Sequence, residues 1–325
     1  MTATQTLSIH DLNVWIDRPR GAALHIVRDL NFSVRNGERV GLVGESGCGK
    51  TTTIMAIMGL LPPTARVSGH IRLDGEDVLA GGETTIRPRR LVDIAMIFQA
   101  AMSSLNPVMT VGRQIADPLR RRLGYNRSQA DARVLELLDA VDLSPDIRNM
   151  HPHELSGGMR QRVVIAKGLS CNPRFLLADE PTTSLDALVQ RQITELLTRL
   201  SADFNLGVLL VSHDLAMVAD FCTRAMVMYA GRIIETGPPA MLTSDAKHPY
   251  TRKLAAATPI LGHGGKLETI PGAQPSPADH ADGCAFMPRC DRAVSICRSE
   301  RPREVRTGAD IVACHAVTVG AADDK

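Results

Sequence analysis

Short apolar runs separated by turns occupy the first part of the chain and predict β-strands. Each run has strand length and is bounded by glycine, asparagine, aspartate or proline. The predicted strands are Leu7 to Val14, Ile26 to Val34, Arg39 to Val43, Val67 to Gly75 and Val92 to Gln99. Between the third and fourth of them, Thr51 to Leu61 is an apolar segment of helical length. The region therefore predicts strands that lead into and away from a helix.

Beyond Pro107 the pattern becomes helical. Ser128 is a candidate N-cap with Asp131 three residues later. Apolar residues then follow at helical spacing, at Val134, Leu137, Leu138 and Val141. The sequence predicts an amphipathic helix inside an inserted segment of roughly sixty residues.

Strand-like runs resume after this insertion. Arg174 to Asp179 reads as a buried strand of parallel type, and Gly207 to Ser212 as another. Asp186 is a candidate cap for the helix between them. Arg224 to Tyr229 and Gly231 to Gly237 predict a closing hairpin.

The segment Gly44 to Thr51 reads G-x-x-x-x-G-K-T and lies between a predicted strand and a predicted helix, which is the context that a phosphate-binding loop requires. Its glycines let backbone N–H groups face a phosphate, and the helix directs the positive end of its dipole at it. Lys50 is predicted to reach the β and γ phosphates, and Thr51 to offer a hydroxyl to Mg²⁺. The alternative is a glycine-rich turn that binds nothing.

Polar residues at the ends of other predicted strands could complete such a site. Asp179 is placed to hold Mg²⁺ through water, and Glu180 to polarise the water that attacks the γ-phosphate. Two acids that end a core strand could instead form a solvated turn. Gln99 could contact Mg²⁺ and the attacking water, or merely cap its strand. His213 lies where a sensor of the γ-phosphate is expected, although a histidine there is usually a capping or packing residue.

Two further features suit a nucleotide. Trp15, the single tryptophan, could stack on a base or belong to the core. Ser156 can cap a helix whose first turn contains Gly157 and Gly158, which leaves bare N–H groups for a second anion. The alternative there is an ordinary N-cap.

Composition restricts the possible classes of protein. At 325 residues the chain exceeds the usual size of one domain. Lys and Arg number 37 against 35 Asp and Glu, which gives no excess charge for nucleic acid. Met1 to Leu12 lacks the pattern of a secretory signal, and the apolar run Ile54 to Leu61 is far shorter than the ~20 residues of a transmembrane helix. A membrane role is therefore expected to come through partner chains.

Four of the seven cysteines cluster near the C-terminus, at Cys284, Cys290, Cys297 and Cys314. In a reducing compartment such a cluster favours a metal over disulfides. Four thiolates suit a [4Fe–4S] cluster or structural zinc. Cysteines that pack as small hydrophobic residues, and disulfides, remain alternatives. The Gly- and Pro-rich stretch Pro259 to Pro277 predicts a linker or extended arm before this cluster.

From about residue 7 to 240 the chain resembles the ATP-binding subunits of ABC transporters. The resemblance implies an α/β P-loop NTPase fold with a RecA-like core, an antiparallel β subdomain and an inserted helical subdomain at about 100–160. Residues 1–240 are then the nucleotide-binding domain, and residues 241–325 a C-terminal extension. The matching segments occur in the family's order, from the phosphate loop through the Q-loop Gln99, the signature Leu155 to Gly158, the acids Asp179 and Glu180, and the D-loop Ser184 to Asp186, to the H-loop His213.

The resemblance also implies roles for these residues. ATP and Mg²⁺ lie between the loop of one subunit and the signature of another. The residues expected to contact nucleotide are Trp15, Gly44, Glu45, Ser46, Gly47, Cys48, Gly49, Lys50, Thr51, Thr52, Gln99, Asp179, Ser156, Gly157 and Gly158. The expected ligands of Mg²⁺ are Thr51, Gln99 and Asp179. The expected catalytic residues are Glu180, His213 and Gln99.

Three segments resemble more narrowly the dipeptide, oligopeptide and nickel import ATPases: Phe98 to Pro107, His248 to Arg252 and Gly283 to Cys290. This implies peptide import, with a second ATPase subunit, two permease subunits and an extracytoplasmic solute-binding protein as partners. The location implied is peripheral, at the cytoplasmic face of the inner membrane. Similar tails are implied to hold iron and sulfur, which favours [4Fe–4S] over zinc. Import of another solute, such as nickel, remains an alternative.

A soluble ABC ATPase that acts on nucleic acid is a second hypothesis, but the chain lacks the long coiled-coil insertion or tandem ATPase domain of such proteins. A regulatory subunit with an inactive site is a third, against which Glu180 and His213 argue.

Overall fold

A computed structural model describes residues 6–98, 104–183, 185–257, 269–278, 282–308 and 310–320. The chain divides into two compact units. The first consists mainly of Val34–Glu38 and Val78–Leu210, and the second of Ser8–Ser33, Arg39–Asp77 and the chain from Val211 onward.

The strands are β1 Thr6–Ile16, β2 Leu24–Arg35, β3 Arg39–Val43, β4 Ala65–Leu73, β5 Glu76–Asp77, β6 Ile94–Ile97, β7 Phe175–Asp179, β8 Gly207–Ser212, β9 Arg224–Tyr229, β10 Arg232–Gly237, β11 Glu304–Thr307 and β12 Asp310–Ala313. The α-helices are α1 Lys50–Ile57, α2 Glu83–Arg89, α3 Val111–Leu123, α4 Arg127–Ala140, α5 Gly157–Gly168, α6 Ala187–Asp203, α7 Leu215–Phe221, α8 Pro239–Ser244, α9 Pro249–Ala257 and α10 His315–Gly320. Short 3₁₀ helices cover Pro145–Asn149, Pro152–Glu154, Met287–Arg289 and Ser295–Arg298.

The second unit contains two groups of strands. One is a four-stranded sheet in the order β2, β1, β4, β5. In the other, β11, β12, β10, β9 and β3 are neighbours in that order. Strand β3 is parallel to β9, whereas β10 pairs antiparallel with β9 and β12. The C-terminal strands therefore extend the edge of the hairpin formed by β9 and β10.

The first unit combines the buried strands β6, β7 and β8 with five of the ten α-helices in the described residues, α2 to α6. Strands β6 and β7 are parallel, and every residue of β7 is buried. Residues Phe175 to Ala178 are all apolar, which is typical of a strand that is buried on both faces. The helices α3 and α4 lie within residues 100–160, the range that the sequence assigns to an inserted helical segment, whereas α5 begins at Gly157 and continues beyond it.

Most of the predicted strands and the closing hairpin are confirmed, but two helix ends differ from expectation. Helix α4 is capped by Asn126 rather than Ser128. The side chain of Asn126 accepts from the Gln129 amide at 2.9 Å, and that of Gln129 accepts from the Asn126 amide at 2.9 Å. Asparagine caps as well as serine, and this reciprocal pair satisfies two helix-end donors at once. Helix α1 ends at Ile57, because the chain turns at Gly59 with a positive φ of 61°.

Within the described residues, no helix is at once long enough and apolar enough to span a bilayer.

Candidate functional site

The loop Gly44 to Thr51 connects β3 with α1 in the second unit. A Cβ atom at Gly44 would lie 2.3 Å from the Met228 carbonyl oxygen, so only glycine fits there. Gly49 is the N-cap of α1 and has a φ of 110°, which side-chain-bearing residues rarely adopt. Sequence and packing therefore both require a bare backbone in this loop.

Replacing Gly44 with alanine is expected to lower the free energy of unfolding by about 3 kcal/mol, because the new methyl group collides with backbone rather than with a movable side chain. Gly47→Ala is the matched control, since a Cβ there has no neighbour within 4 Å. Only its φ of 84° opposes alanine, at a cost of about 1 kcal/mol. Denaturant unfolding of both variants checks this order, and equal losses would contradict it.

Lys50 begins helix α1, and its side chain folds into the loop. Its Nζ atom donates to the carbonyl oxygens of Gly44 at 2.7 Å and Glu45 at 2.9 Å. Only 5% of the residue is exposed. The loop thus holds a buried ammonium group beside the N-terminus of a helix, and both features favour an anion.

The other loop residues differ in exposure. Ser46, Gly47 and Thr51 are exposed, while Thr52 is half-buried. Cys48 is buried, and this burial raises the pKa of its thiol, so the thiol stays protonated at neutral pH.

Trp15 lies near the end of β1 and stacks on His25, with ring centroids 4.5 Å apart and an interplanar angle of 20°. Burial and the charge of Arg28 lower the pKa of His25 to about 4, so the stacked imidazole is neutral at pH 7. The Arg66 guanidinium lies 5.9 Å from the indole centroid. The only tryptophan is therefore half-buried in an aromatic and cationic setting.

His213 follows β8 and is exposed at the start of the turn into α7. The next residue, Asp214, caps α7 through the amides of Ala216 and Met217.

In the first unit, β7 ends in the two predicted carboxylates. Asp179 is only 2% exposed. Glu180 has a positive φ of 45°, and its Oε2 atom accepts from the Thr183 hydroxyl at 2.9 Å. A non-glycine residue in the left-handed region is uncommon and marks a position where the surrounding structure fixes the backbone. The backbone conformation and the hydrogen bond from Thr183 therefore fix the direction of the Glu180 side chain.

The same unit contains the second predicted anion site. Ser156 caps α5 by accepting from the Met159 amide at 3.3 Å, as expected. Ser156 and Gly157 are exposed, and Gly158 is half-buried. A Cβ atom at Gly158 would lie 2.9 Å from Cγ1 of Val189, so this helix start is closely packed against α6. Gln99 and Ser184, two other predicted residues, lie outside the described part of the chain.

The four C-terminal cysteines are neighbours in the second unit. The Cys284 amide donates to the Cys297 carbonyl at 2.8 Å. Burial, together with Cys297, Cys314 and Cys290, raises the pKa of the Cys284 thiol to about 11. Even so, no group of three or more His, Cys, Asp or Glu side chains in the described ranges has the arrangement of a metal site.

Three residues next to the loop are absent from the predicted site. Arg289 forms an ion pair with Glu45 at 2.8 Å, Gln274 donates to the same carboxylate at 3.0 Å, and the Tyr250 hydroxyl accepts from the Glu45 amide at 2.9 Å. Two of them, Tyr250 and Arg289, lie in segments that carry the narrower resemblance, His248 to Arg252 and Gly283 to Cys290. That location was the available signal.

Comparisons with known proteins identify the family to which the chain belongs. The family model of the ABC transporter matches residues 27–183, and that of the oligopeptide/dipeptide transporter C-terminal region matches residues 234–297. The oligopeptide transport ATP-binding protein OppD of Salmonella typhimurium is 42% identical over 324 residues, which cover 96% of each chain. A putative peptide import ATP-binding protein of Brucella ovis is 45% identical over 302 residues, 88% of this chain and 89% of that protein.

Solved structures show the same fold. The dimeric post-hydrolysis state of the ATP-binding cassette MJ0796, bound to ADP and Pi, has a TM-score of 0.64 and 26% identity, covering 72% of this chain and 98% of that one. CbiO1 of Clostridium perfringens, part of the transporter complex cbiONQ, has a TM-score of 0.64 at 24% identity and covers 75% and 92%. Because relatives match it over almost its whole length, the chain belongs to the ATP-binding subunits of ABC transporters, in the group of oligopeptide and peptide import proteins.

Proposed function

We propose that this chain binds and hydrolyses ATP to power an importer of the dipeptide and oligopeptide class. The observation that carries the proposal is the buried ammonium of Lys50, held at 2.7 Å and 2.9 Å by the carbonyls of a loop that only glycine can form at Gly44. The peptide class is supported by the OppD relative and by the match to the C-terminal region of residues 234–297.

The predicted residues take separate roles in this proposal. Lys50 and the loop amides bind the β and γ phosphates, and Trp15 stacks on the base. Thr51, Gln99 and Asp179 would hold Mg²⁺, and Gln99 would also contact the attacking water. Glu180 accepts a proton from a water molecule while the oxygen of that water attacks the γ-phosphorus. ADP then leaves, and phosphate forms. His213 contacts the γ-phosphate.

The site is completed in trans. Ser156, Gly157 and Gly158 of another ATPase subunit cover the phosphates with the exposed start of α5, which suits an anion. The solved cassette MJ0796 is dimeric and holds ADP and Pi, which supports this arrangement. Two permease subunits and an extracytoplasmic solute-binding protein complete the importer, with this chain peripheral at the cytoplasmic face of the inner membrane. Closure of the ATPase pair around ATP, and reopening after hydrolysis, drives the permease.

ATPase assays of the full chain, purified with its permease partners in lipid, test the proposed function. We expect turnover that rises when a peptide-loaded binding protein is added. Failure to co-purify with polytopic membrane proteins, together with retention on DNA and turnover stimulated by DNA, would contradict it.

We also propose that Cys284, Cys290, Cys297 and Cys314 hold a metal centre, with [4Fe–4S] favoured over zinc. The four thiols are close enough in the fold to influence one another's charge, and thiolates suit soft metal ions, which supports this; binding requires them to move closer together than in this structure, where the described side chains form no metal-site arrangement. A metal bound by these four thiolates would cross-link the extension, whose described helices and strands are short.

Anaerobically purified protein is expected to contain about four iron and four sulfide per chain. Cys297→Ser should lose this iron, whereas Cys171→Ser, a change at a buried cysteine of the first unit, should keep it. About one zinc per chain without sulfide would favour the alternative, and absence of both would overturn the proposal.

A further inference from the structure

Glu45, the second residue of the phosphate loop, is bound by the C-terminal extension. Arg289 donates from Nη1 to Oε2 at 2.8 Å and from Nη2 to Oε1 at 2.9 Å. Gln274 donates from Nε2 to Oε2 at 3.0 Å. Bidentate pairs of this kind fix direction as well as distance. Three hydrogen bonds from residues more than 200 positions away therefore orient the Glu45 carboxylate.

Arg289 is itself rigidly held. Its side chain is only 6% exposed. Its Nε atom donates to the Pro271 carbonyl at 2.9 Å, and Nη1 also donates to the Tyr229 hydroxyl at 3.3 Å. The guanidinium lies 6.0 Å from the Phe286 ring centroid. Lysine, with a single compact ammonium, cannot make these contacts together.

The charges agree with this geometry. The hydrogen bond to Glu45 raises the pKa of Arg289. Burial alone would raise the pKa of Glu45, but hydrogen bonds from Arg289 and Gln274 outweigh it and lower that pKa. Both groups are therefore ionised across the physiological pH range.

The main chain of Glu45 connects this contact to the ammonium group. Its amide donates to the hydroxyl of Tyr250, a fully buried side chain, at 2.9 Å. Its carbonyl accepts from Nζ of Lys50 at 2.9 Å. The side chain, amide and carbonyl of one residue thus join the extension to the phosphate-binding lysine.

We infer that Arg289 is a positioning residue for ATP binding: by fixing Glu45 together with Gln274 and Tyr250, it sets the place of Lys50 in the loop. The inference rests on the proposed function of Gly44 to Thr51. It makes the C-terminal extension a working part of the nucleotide site, acting through Glu45 and not through contact with the substrate.

The test is MgATP binding to the full chain and ATP turnover in the assembled transporter. In Arg289→Met we expect the Kd and KM for MgATP to rise about tenfold, with kcat at saturating ATP changed less than about threefold. In this variant the nucleotide-free loop loses its fixed conformation, and bound ATP restores that conformation. Arg289→Lys should fall between this variant and the wild type. Arg303→Met, a change at an exposed arginine of the same extension, should match the wild type.

A double-mutant cycle separates positioning from folding. Glu45→Gln should weaken binding similarly, and the combined variant should be no weaker than the poorer single variant, because both changes remove one contact. Additive losses would overturn the inference. Binding within about twofold of wild type in a folded Arg289→Met would also overturn it. If that variant does not fold, Arg289→Lys and Glu45→Gln decide by the same criterion.

Lys50→Ala separates a failure of the positioning role of Arg289 from a failure of the proposed nucleotide site. If the wild type binds MgATP and Lys50→Ala does not, an unaffected Arg289→Met refutes the positioning role alone. If Lys50→Ala binds as tightly as the wild type, the proposed nucleotide site itself fails.

Discussion

Replacing Glu180 with glutamine is expected to lower ATP turnover in the assembled transporter by about a hundred- to a thousandfold, while MgATP binding is kept. The amide has nearly the same shape but cannot take a proton from the attacking water, and general bases contribute about that factor. The backbone of Glu180 has a φ of 45°, and its carboxylate accepts a hydrogen bond from Thr183. Both features fix the direction of the side chain, as a general base requires.

Glu195→Gln is the matched control, because Glu195 is an exposed residue of α6 in a surface ion pair with Arg191. Its turnover should equal that of the wild type. Phosphate release from the three proteins, with binding measured in parallel, checks the prediction. Unchanged hydrolysis in Glu180→Gln would remove Glu180 from the reaction.

Replacing Lys50 with alanine has the second large expected effect, a loss of MgATP affinity of about a hundredfold or more. The change removes the one ammonium that the loop carbonyls of Gly44 and Glu45 hold. No other residue of the loop is basic, so the loop itself contains no replacement for this charge.

Lys247→Ala is the control, since Lys247 pairs with Asp245 near the surface of the same unit. Quenching of the single tryptophan provides a direct readout of binding if Trp15 stacks on the base. Near-normal affinity in Lys50→Ala, with native circular dichroism, would contradict the account.

Much of the fold follows from local patterns. The apolar run before Gly44 and the glycines within the loop are enough to predict a strand, a tight turn and a helix. Ser156 and Asp186 were predicted as caps because a cap depends on a side chain and an amide three residues away. The same short-range logic misplaced the start of α4, since both Asn126 and Ser128 can cap and only the packed helix selects between them.

Long-range contacts could not be predicted in this way. Arg289 and Glu45 are 244 residues apart, and no periodicity relates them. The stacking of Trp15 on His25 likewise depends on how β1 and β2 pair across a turn. These contacts arise from tertiary packing, which a single sequence does not display.

In the proposed mechanism, ATP lies between Gly44 to Thr51 of one ATPase subunit and Ser156 to Gly158 of another. The most direct measurement is a structure of the assembled transporter carrying Glu180→Gln, closed around MgATP. The account predicts phosphate contacts from Lys50 of one subunit and from the start of helix α5, or its counterpart, in the other. A closed, fully loaded complex in which a single polypeptide makes every contact to the triphosphate would contradict it.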